Sequence, residues 1–122
     1  MKTCLVVDDS NVVRKLAKRM LEPLELRILE AEDGEDALNV CRKQLPDVIL
    51  LDWHMPRMNG YQFLLALREM PDGKTPKVVF CTTDTNVGNI TRALKSGADE
   101  YIIKPFDQAG LENKFREVGV LK

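Results

Sequence analysis

The stretch that decides the fold runs from Asp47 to Gly60 and reads DVILLDWHMPRMNG. Within it, four apolar residues, 48–51, follow one another without interruption and lead directly into Asp52. Strands that are buried on both faces of a parallel sheet show this continuous apolar pattern. Ligands and chemistry in open α/β sheets lie at the carboxyl ends of the strands. We therefore predict that Asp52 is a nucleophilic carboxylate at such an edge.

Short apolar runs alternate with amphipathic helical patterns on both sides of this stretch. The predicted strands are 4–7, 26–31, 48–51, 77–81 and 101–103. The predicted helices are 10–22, 35–43, 61–70, 86–96 and 107–119. Five strand-helix units in strict alternation predict an α/β fold, in which a parallel sheet carries helices on both faces.

The first helix has an apolar stripe at helical spacing and a basic face opposite it. The stripe consists of Val13, Leu16, Ala17, Met20 and Leu21, and the basic face of Arg14, Lys15, Lys18 and Arg19. We expect the stripe to pack on the sheet and the basic face to be solvated.

Composition limits the possible functions. The 122 residues suffice for one domain, and 18 basic residues against 19 acidic ones give a net charge of −1, so no general attraction to nucleic acid or an anionic membrane is expected. No apolar segment approaches membrane-spanning length and no signal peptide is recognised, so we expect a soluble, cytoplasmic protein. Cys4, Cys41 and Cys81 lie in apolar contexts, which favours buried, reduced thiols.

Polar residues also end the other predicted strands. Asp8 and Asp9 follow the first, Thr82 the fourth and Lys104 the fifth, so we expect them to meet Asp52 at one edge of the sheet. Clustered carboxylates repel one another unless a cation is bound, and an oxygen-only site beside a phosphate substrate suits Mg²⁺. A carboxylate can attack phosphorus if a metal ion and a lysine offset the charge.

Four motifs, in this order and spacing, resemble the response-regulator receiver domain family, of the CheY-like single-domain kind. They are Asp8-Asp9, Asp52 within LLDWHMPRMNG, Thr82 with Tyr101, and Lys104-Pro105-Phe106. The resemblance covers essentially the whole chain. It implies a flavodoxin-like (βα)5 fold, doubly wound, with five parallel strands in the order 2-1-3-4-5. It also implies a single receiver domain over residues 1–122 without an effector domain.

The resemblance assigns a role to each residue of the site. Asp52 would accept a phosphoryl group from a phosphohistidine. Asp9, Asp52 and the backbone carbonyl of His54 would bind Mg²⁺ directly, and Asp8 would act through water. Lys104 would contact the phosphoryl oxygens.

The resemblance also implies a switch. The Thr82 hydroxyl would swing onto the phosphoryl group and the Tyr101 ring would move inward, which remodels the face formed by the fourth helix, the last strand and the last helix. The bond between Lys104 and Pro105 would be cis. His54 and Asp84 would tune the rate of phosphoryl hydrolysis. Trp53, beside the acceptor, is predicted to report Mg²⁺ binding by fluorescence quenching.

The partners implied are a sensor histidine kinase or a histidine phosphotransfer protein and a downstream target protein, in chemotaxis or a phosphorelay. We expect a monomer that binds neither nucleic acid nor membrane. The domain would catalyse only its own phosphorylation and dephosphorylation.

Two other functions compete with this interpretation. A Mg²⁺-dependent phosphatase or phosphotransferase uses the same carboxylate chemistry, but haloacid-dehalogenase-like enzymes carry a second aspartate two residues after the nucleophile, where this chain has His54. A flavodoxin-like flavin carrier would need a Ser/Thr/Gly-rich phosphate loop after the first strand, where Asp8 and Asp9 stand.

Overall fold

A computed structural model describes residues 1–121, and Lys122, the last residue of the predicted domain, lies outside the described residues. The strands are β1 (Thr3–Val7), β2 (Arg27–Ala31), β3 (Val48–Asp52), β4 (Lys77–Thr82) and β5 (Glu100–Ile103). The helices are α1 (Asn11–Leu21), α2 (Gly34–Lys43), α3 (Gly60–Glu69), α4 (Val87–Lys95) and α5 (Gln108–Glu117). The predicted alternation is confirmed, with boundaries shifted by a few residues.

The sheet has the order β2-β1-β3-β4-β5, and neighbouring strands pair in parallel throughout. The central position belongs to β3, whose five residues are all buried. Val7 of β1 lies opposite Leu51, and Asp52 lies opposite Cys81 of β4. The predicted flavodoxin-like strand order is confirmed, and Asp52 occupies the carboxyl end of the middle strand.

Separate apolar cores cover the two faces of the sheet. One core contains buried side chains of α2, α3 and α4, among them Phe63 and Leu67 of α3. The other contains buried side chains of α1 and α5, including Leu21 and Phe115. Alternate residues of β3 enter different cores, which is why its apolar run has no polar interruption. The doubly wound arrangement is therefore confirmed.

Each of the helices α1 to α5 begins in the same way. The side chain of the residue before the helix accepts a hydrogen bond from the backbone N–H three residues later, which satisfies one of the free amides of the first turn. These capping residues are Ser10, Asp33, Asn59, Asn86 and Asp107. At α3 the cap is reciprocal, since the Gln62 side chain accepts from the backbone N–H of Asn59.

The expectation for α1 is wrong in two respects. Leu16 is 48% exposed, because only Ala17 and Leu21 of its stripe are buried beneath the helix. Val13, Leu16, Ala17 and Met20 instead line an open, mainly apolar groove of about 350 Å³ with Thr83 and residues 104–106. Arg14 does not belong to a solvated face, because its side chain is only 13% exposed and is hydrogen-bonded at the edge of the sheet.

The three cysteines are buried and free, as predicted. Burial raises the pKa of the Cys4 thiol to about 12 and that of the Cys41 thiol to about 11. The pKa of the Cys81 thiol is also raised, first by burial. None of the helices within residues 1–121 has the length and apolar character needed to cross a membrane.

Arg68 ties three segments together at the edge of the sheet opposite Asp52. Its guanidinium donates to the backbone carbonyls of Gly73, Pro76 and Gly97 and forms an ion pair with Asp99 at 3.1 Å. The side chain is 13% exposed, so these carbonyls lose their partner in a poorly solvated place if it is removed.

We predict that Arg68→Ala lowers the free energy of unfolding by about 2–4 kcal/mol, the range for breaking a buried, charge-assisted network. Urea unfolding measures this. The matched control is Arg42→Ala, because Arg42 is exposed and donates to the Asn39 side chain one turn away, and this change should stay within about 0.5 kcal/mol. Equal losses for the two variants would contradict the assignment.

Candidate functional site

Three carboxylates converge at the carboxyl edge of the sheet. One carboxylate oxygen each from Asp8, Asp9 and Asp52 lies within 4.8 Å of the others. Asp8 and Asp52 are 4% and 6% exposed, whereas Asp9 is exposed to solvent. β1 and β3 are neighbours, so the turn after β1 brings the acidic pair beside the end of β3. The predicted convergence of these three residues is confirmed.

Lys104 contributes the positive charge of the cluster. Its Nζ lies 2.9 Å from Asp8 Oδ2 and 3.3 Å from Asp52 Oδ1. The backbone N–H of Lys104 donates to the Thr82 carbonyl at 2.9 Å, which extends the β4–β5 ladder by one residue and fixes the start of the side chain. The Lys104-Pro105 peptide bond is cis, as predicted.

The pKa values of this cluster are shifted by burial and by its neighbours. Burial and the charge of Asp8 raise the pKa of Asp52, and the ammonium of Lys104 and the backbone N–H of His54 offset only part of that increase. Burial alone would lower the pKa of Lys104, but its hydrogen bond to Asp8 and the charges of both carboxylates raise it overall. Lys104 is therefore charged at neutral pH, and the ionised form of Asp52 is disfavoured in the folded protein.

Arg14 anchors Asp8 in a way that sequence reasoning missed. Its Nη1 donates to the Asp8 carbonyl at 2.6 Å, and its Nε is paired with Glu30 of β2 at 3.2 Å. The Asp8 side chain also accepts from the backbone N–H of Ser10 at 2.8 Å. The only sequence signal is the position of Arg14, five residues after Asp9, and that position is equally compatible with a solvated helix face.

Thr82 is the last residue of β4, and its side chain is buried. Its hydroxyl forms hydrogen bonds with two residues in neighbouring loops. Thr82 Oγ1 lies 3.2 Å from His54 Nε2 and accepts from the Asp84 backbone N–H at 2.9 Å. The backbone N–H of His54 donates to Asp52 Oδ1 at 3.2 Å. His54 therefore contacts both the acidic cluster and Thr82, a double contact that the sequence does not reveal.

An aromatic series leads from the site toward β5. The Trp53 ring, next to Asp52 in the chain, packs on Phe80 with centroids 4.6 Å apart, and Phe80 lies 6.0 Å from the ring of Tyr101. Tyr101 is half-buried, and Lys114 Nζ of α5 lies 4.8 Å from its ring centroid. Trp53 and Tyr101 thus join the site and the α4-β5-α5 surface through a single intervening side chain.

Gly60 allows α3 to start directly against the end of β3. A Cβ at this position would lie 2.8 Å from the Asp52 carbonyl oxygen and from the Trp53 Cα. The Gly60 N–H also donates to the Trp53 carbonyl at 3.1 Å. The predicted Asn59-Gly60 turn therefore requires a glycine at position 60, because the backbone packs closely beside Asp52.

The donor set suits a hard divalent cation. The cluster offers only carboxylate oxygens, with no imidazole or thiolate among its members in the part of the chain that the structure describes. Mg²⁺ prefers such oxygen ligands and keeps several waters, which fits a site that is open on the Asp9 side.

A doubly wound parallel sheet with an acidic pocket and a lysine at its carboxyl edge defines the class of protein. Residues 4–116 match the family model described as the response regulator receiver domain. The chain belongs to this family, and it is a receiver domain of two-component signalling.

The relatives agree with this assignment. The probable transcriptional regulator ycf27 of Guillardia theta is 35% identical over 114 residues, which are 93% of this chain and 44% of that protein. The probable transcriptional regulator ycf27 of Porphyridium aerugineum is 32% identical over 114 residues, 93% of this chain and 46% of that protein. The chain thus spans less than half the length of these curated relatives.

Solved structures give the same fold. The chemotaxis protein CheY4 of Vibrio cholerae superposes with a TM-score of 0.91 at 30% identity, covering 97% of this chain and 98% of that one. The receiver domain of Francisella response regulator 1452 has a TM-score of 0.87 at 30% identity, covering 95% and 94%.

We predict that Asp52→Asn stabilises the protein by about 1 kcal/mol at pH 7 in the absence of divalent cations, a usual size for one stabilising change. The folded-state pKa of Asp52 is raised, so its charge does not destabilise the fold below the unfolded-state value of about 3.9; the destabilisation grows as pH rises from that value to the folded-state pKa and is complete above it. The gain should therefore disappear in acid.

Urea unfolding at a series of pH values with a chelator present measures this gain. The control is Glu69→Gln, which neutralises an exposed carboxylate on α3 and should show no comparable gain at pH 7. A loss of stability in Asp52→Asn at neutral pH would contradict the account.

Proposed function

We propose that this receiver takes a phosphoryl group from a phosphohistidine onto Asp52 and changes its α4-β5-α5 face in response. The observation that carries the proposal is the shared ammonium: Lys104 reaches both Asp52 and Asp8 at the open end of the central strand. A carboxylate next to a fixed positive charge and two further carboxylates suits attack on an anionic phosphoryl group when a divalent cation is present.

In the proposed reaction, an Asp52 carboxylate oxygen attacks the phosphorus of the donor. The new O–P bond forms as the N–P bond to the donor imidazole breaks, and the electron pair of that bond returns to the imidazole nitrogen. Lys104 stabilises negative charge on the transferring group. The Thr82 hydroxyl can donate a hydrogen bond to a phosphoryl oxygen after it leaves its present partners.

Asp9, Asp52 and the His54 carbonyl are proposed to hold Mg²⁺ directly, with Asp8 acting through water. When bound, the cation supplies charge neutralisation for the phosphoryl oxygens. Asp8 is well placed for an indirect role because its carboxylate already accepts from Lys104 Nζ and the Ser10 N–H, whereas Asp9 faces solvent.

The proposed activity is confined to the chain's own phosphorylation and dephosphorylation. The partners would be a histidine kinase or phosphotransfer protein and a downstream target. The apolar groove beside α1 opens next to Lys104, so a donor helix seated there would present its histidine close to Asp52. A role in chemotaxis or a phosphorelay, and action as a cytoplasmic monomer, are part of the same proposal.

The switch is proposed to use Thr82 and Tyr101. The packing of Trp53, Phe80 and Tyr101 gives the site a direct contact route to the output face. Phosphorylation shifts such an equilibrium only by the amount by which the phosphoryl group is bound better in the active state.

We predict that incubation with Mg²⁺ and acetyl phosphate, or with phosphoramidate as a donor with an N–P bond, adds one phosphoryl group detected by intact mass. An acyl phosphate should survive mild acid and be lost in base. Removing Mg²⁺ with a chelator should abolish the adduct.

Asp52→Asn should show no adduct, whereas the matched change Asp36→Asn, at a carboxylate of the α2 first turn outside the cluster, should leave it intact. An adduct that persists in Asp52→Asn would overturn the proposal. Turnover of assorted phosphomonoesters would instead favour a phosphatase.

We predict that Mg²⁺ quenches the fluorescence of Trp53, the single tryptophan, because Trp53 directly follows Asp52 in the chain. Titration with Mg²⁺ should give a saturable change in the wild type. The change should be lost in Asp9→Asn and unaffected by Asp36→Asn. A titration curve that Asp9→Asn leaves unchanged would remove Asp9 from the proposed cation site.

A further inference from the structure

The Thr82 hydroxyl is held on the side of the pocket that faces α4. It lies 3.2 Å from His54 Nε2 and 2.9 Å from the Asp84 backbone nitrogen, and it is hydrogen-bonded to both. Neither group belongs to the carboxylate cluster. The hydroxyl that the proposed function requires at the phosphoryl group is therefore engaged elsewhere in this conformation.

A hydroxyl can form only a few hydrogen bonds, so the present contacts of Thr82 compete with a hydrogen bond to a phosphoryl oxygen. A threonine has one proton to donate and two lone pairs, and the Asp84 N–H uses one lone pair. If His54 Nε2 is unprotonated, Thr82 donates to it the proton that a phosphoryl oxygen would need. If Nε2 carries the hydrogen, it donates to Thr82, and the contact still fixes the threonine rotamer.

The same contacts extend to the first turn of α4. The Asp84 carboxylate accepts from the backbone N–H of Asn86 at 2.8 Å and from the Asn89 side-chain amide at 2.7 Å. Asn86 in turn caps α4 through the Asn89 N–H. Accordingly, the backbone bond that holds Thr82 comes from a residue whose side chain orders the start of α4.

We propose that His54 is a positioning residue that holds the Thr82 hydroxyl in its resting orientation, so that phosphorylation must break the His54–Thr82 contact before Thr82 can engage the phosphoryl group. This inference rests on the proposed function. It concerns the equilibrium between resting and active conformations, which precedes and is separate from any effect of His54 on hydrolysis of the phosphoryl group.

Two readouts test the contact without hydrolysis. Three-bond scalar couplings measured by NMR report the Thr82 rotamer in the unphosphorylated protein. The apparent affinity for beryllofluoride with Mg²⁺, a non-hydrolysable phosphoryl mimic for an acceptor carboxylate, reports the balance between the two conformations. His54 is exposed, so its substitution should leave the fold intact, which the amide spectrum verifies.

His54→Leu should convert the single Thr82 rotamer into an averaged one and tighten beryllofluoride binding about two- to tenfold, the effect of losing one competing hydrogen bond. His54→Gln, whose terminal amide reaches about as far as Nε2, should behave like the wild type. In a Thr82→Val background, His54→Leu should leave the affinity unchanged, because the hydroxyl that it releases is absent.

The outcomes separate this inference from the proposed function. Failure of the wild type to bind beryllofluoride at all would overturn both. Suppose instead that the wild type binds normally and that His54→Leu changes the affinity equally with and without the Thr82→Val substitution. That result would overturn only the role of His54, because the change in affinity would then not depend on the Thr82 hydroxyl. An unchanged Thr82 rotamer in His54→Leu would overturn it as well.

Discussion

One interaction organises this molecule: a single lysine ammonium shared by two buried carboxylates. Lys104 Nζ lies 2.9 Å from Asp8 and 3.3 Å from Asp52, and the three residues come from the ends of three different strands. Without that charge, nothing would offset the repulsion between the two carboxylates in this poorly solvated pocket. The parallel sheet is what makes the arrangement possible, because it gathers the carboxyl ends of all its strands at one edge.

The charge of Lys104 compensates the two carboxylates only in part. Burial and the neighbouring Asp8 raise the pKa of Asp52 despite Lys104, so the resting site retains unfavourable energy. In the proposed function, a bound cation or a phosphoryl group near Lys104 would relieve this energy, which agrees with the general tendency of functional sites to reduce stability in favour of reactivity. The contact between His54 and Thr82 adds a second constraint, and in the proposed function it would hold the Thr82 hydroxyl away from the phosphoryl group.

The sequence predicted the features that depend on where the strands end. It did not predict the contacts that side chains make with other secondary-structure elements. The convergence of Asp8, Asp52 and Lys104 followed from their positions after apolar runs, and the strand order followed from the resemblance. Arg14 was misplaced because helical periodicity gives a face but does not show that the Asp8 carbonyl lies within its reach. Leu16 was misplaced because α1 covers the sheet with only part of its apolar stripe. Periodicity cannot show how much of a stripe the neighbouring layer covers.

The most direct test of the central claim is to locate the phosphoryl group after reaction with acetyl phosphate and Mg²⁺. Borohydride reduces an aspartyl phosphate to homoserine, and peptide mass spectrometry then identifies the position. The account predicts homoserine at position 52 alone. Homoserine at position 8 or 9, or a phosphoryl group found on Thr82 or His54, would contradict it.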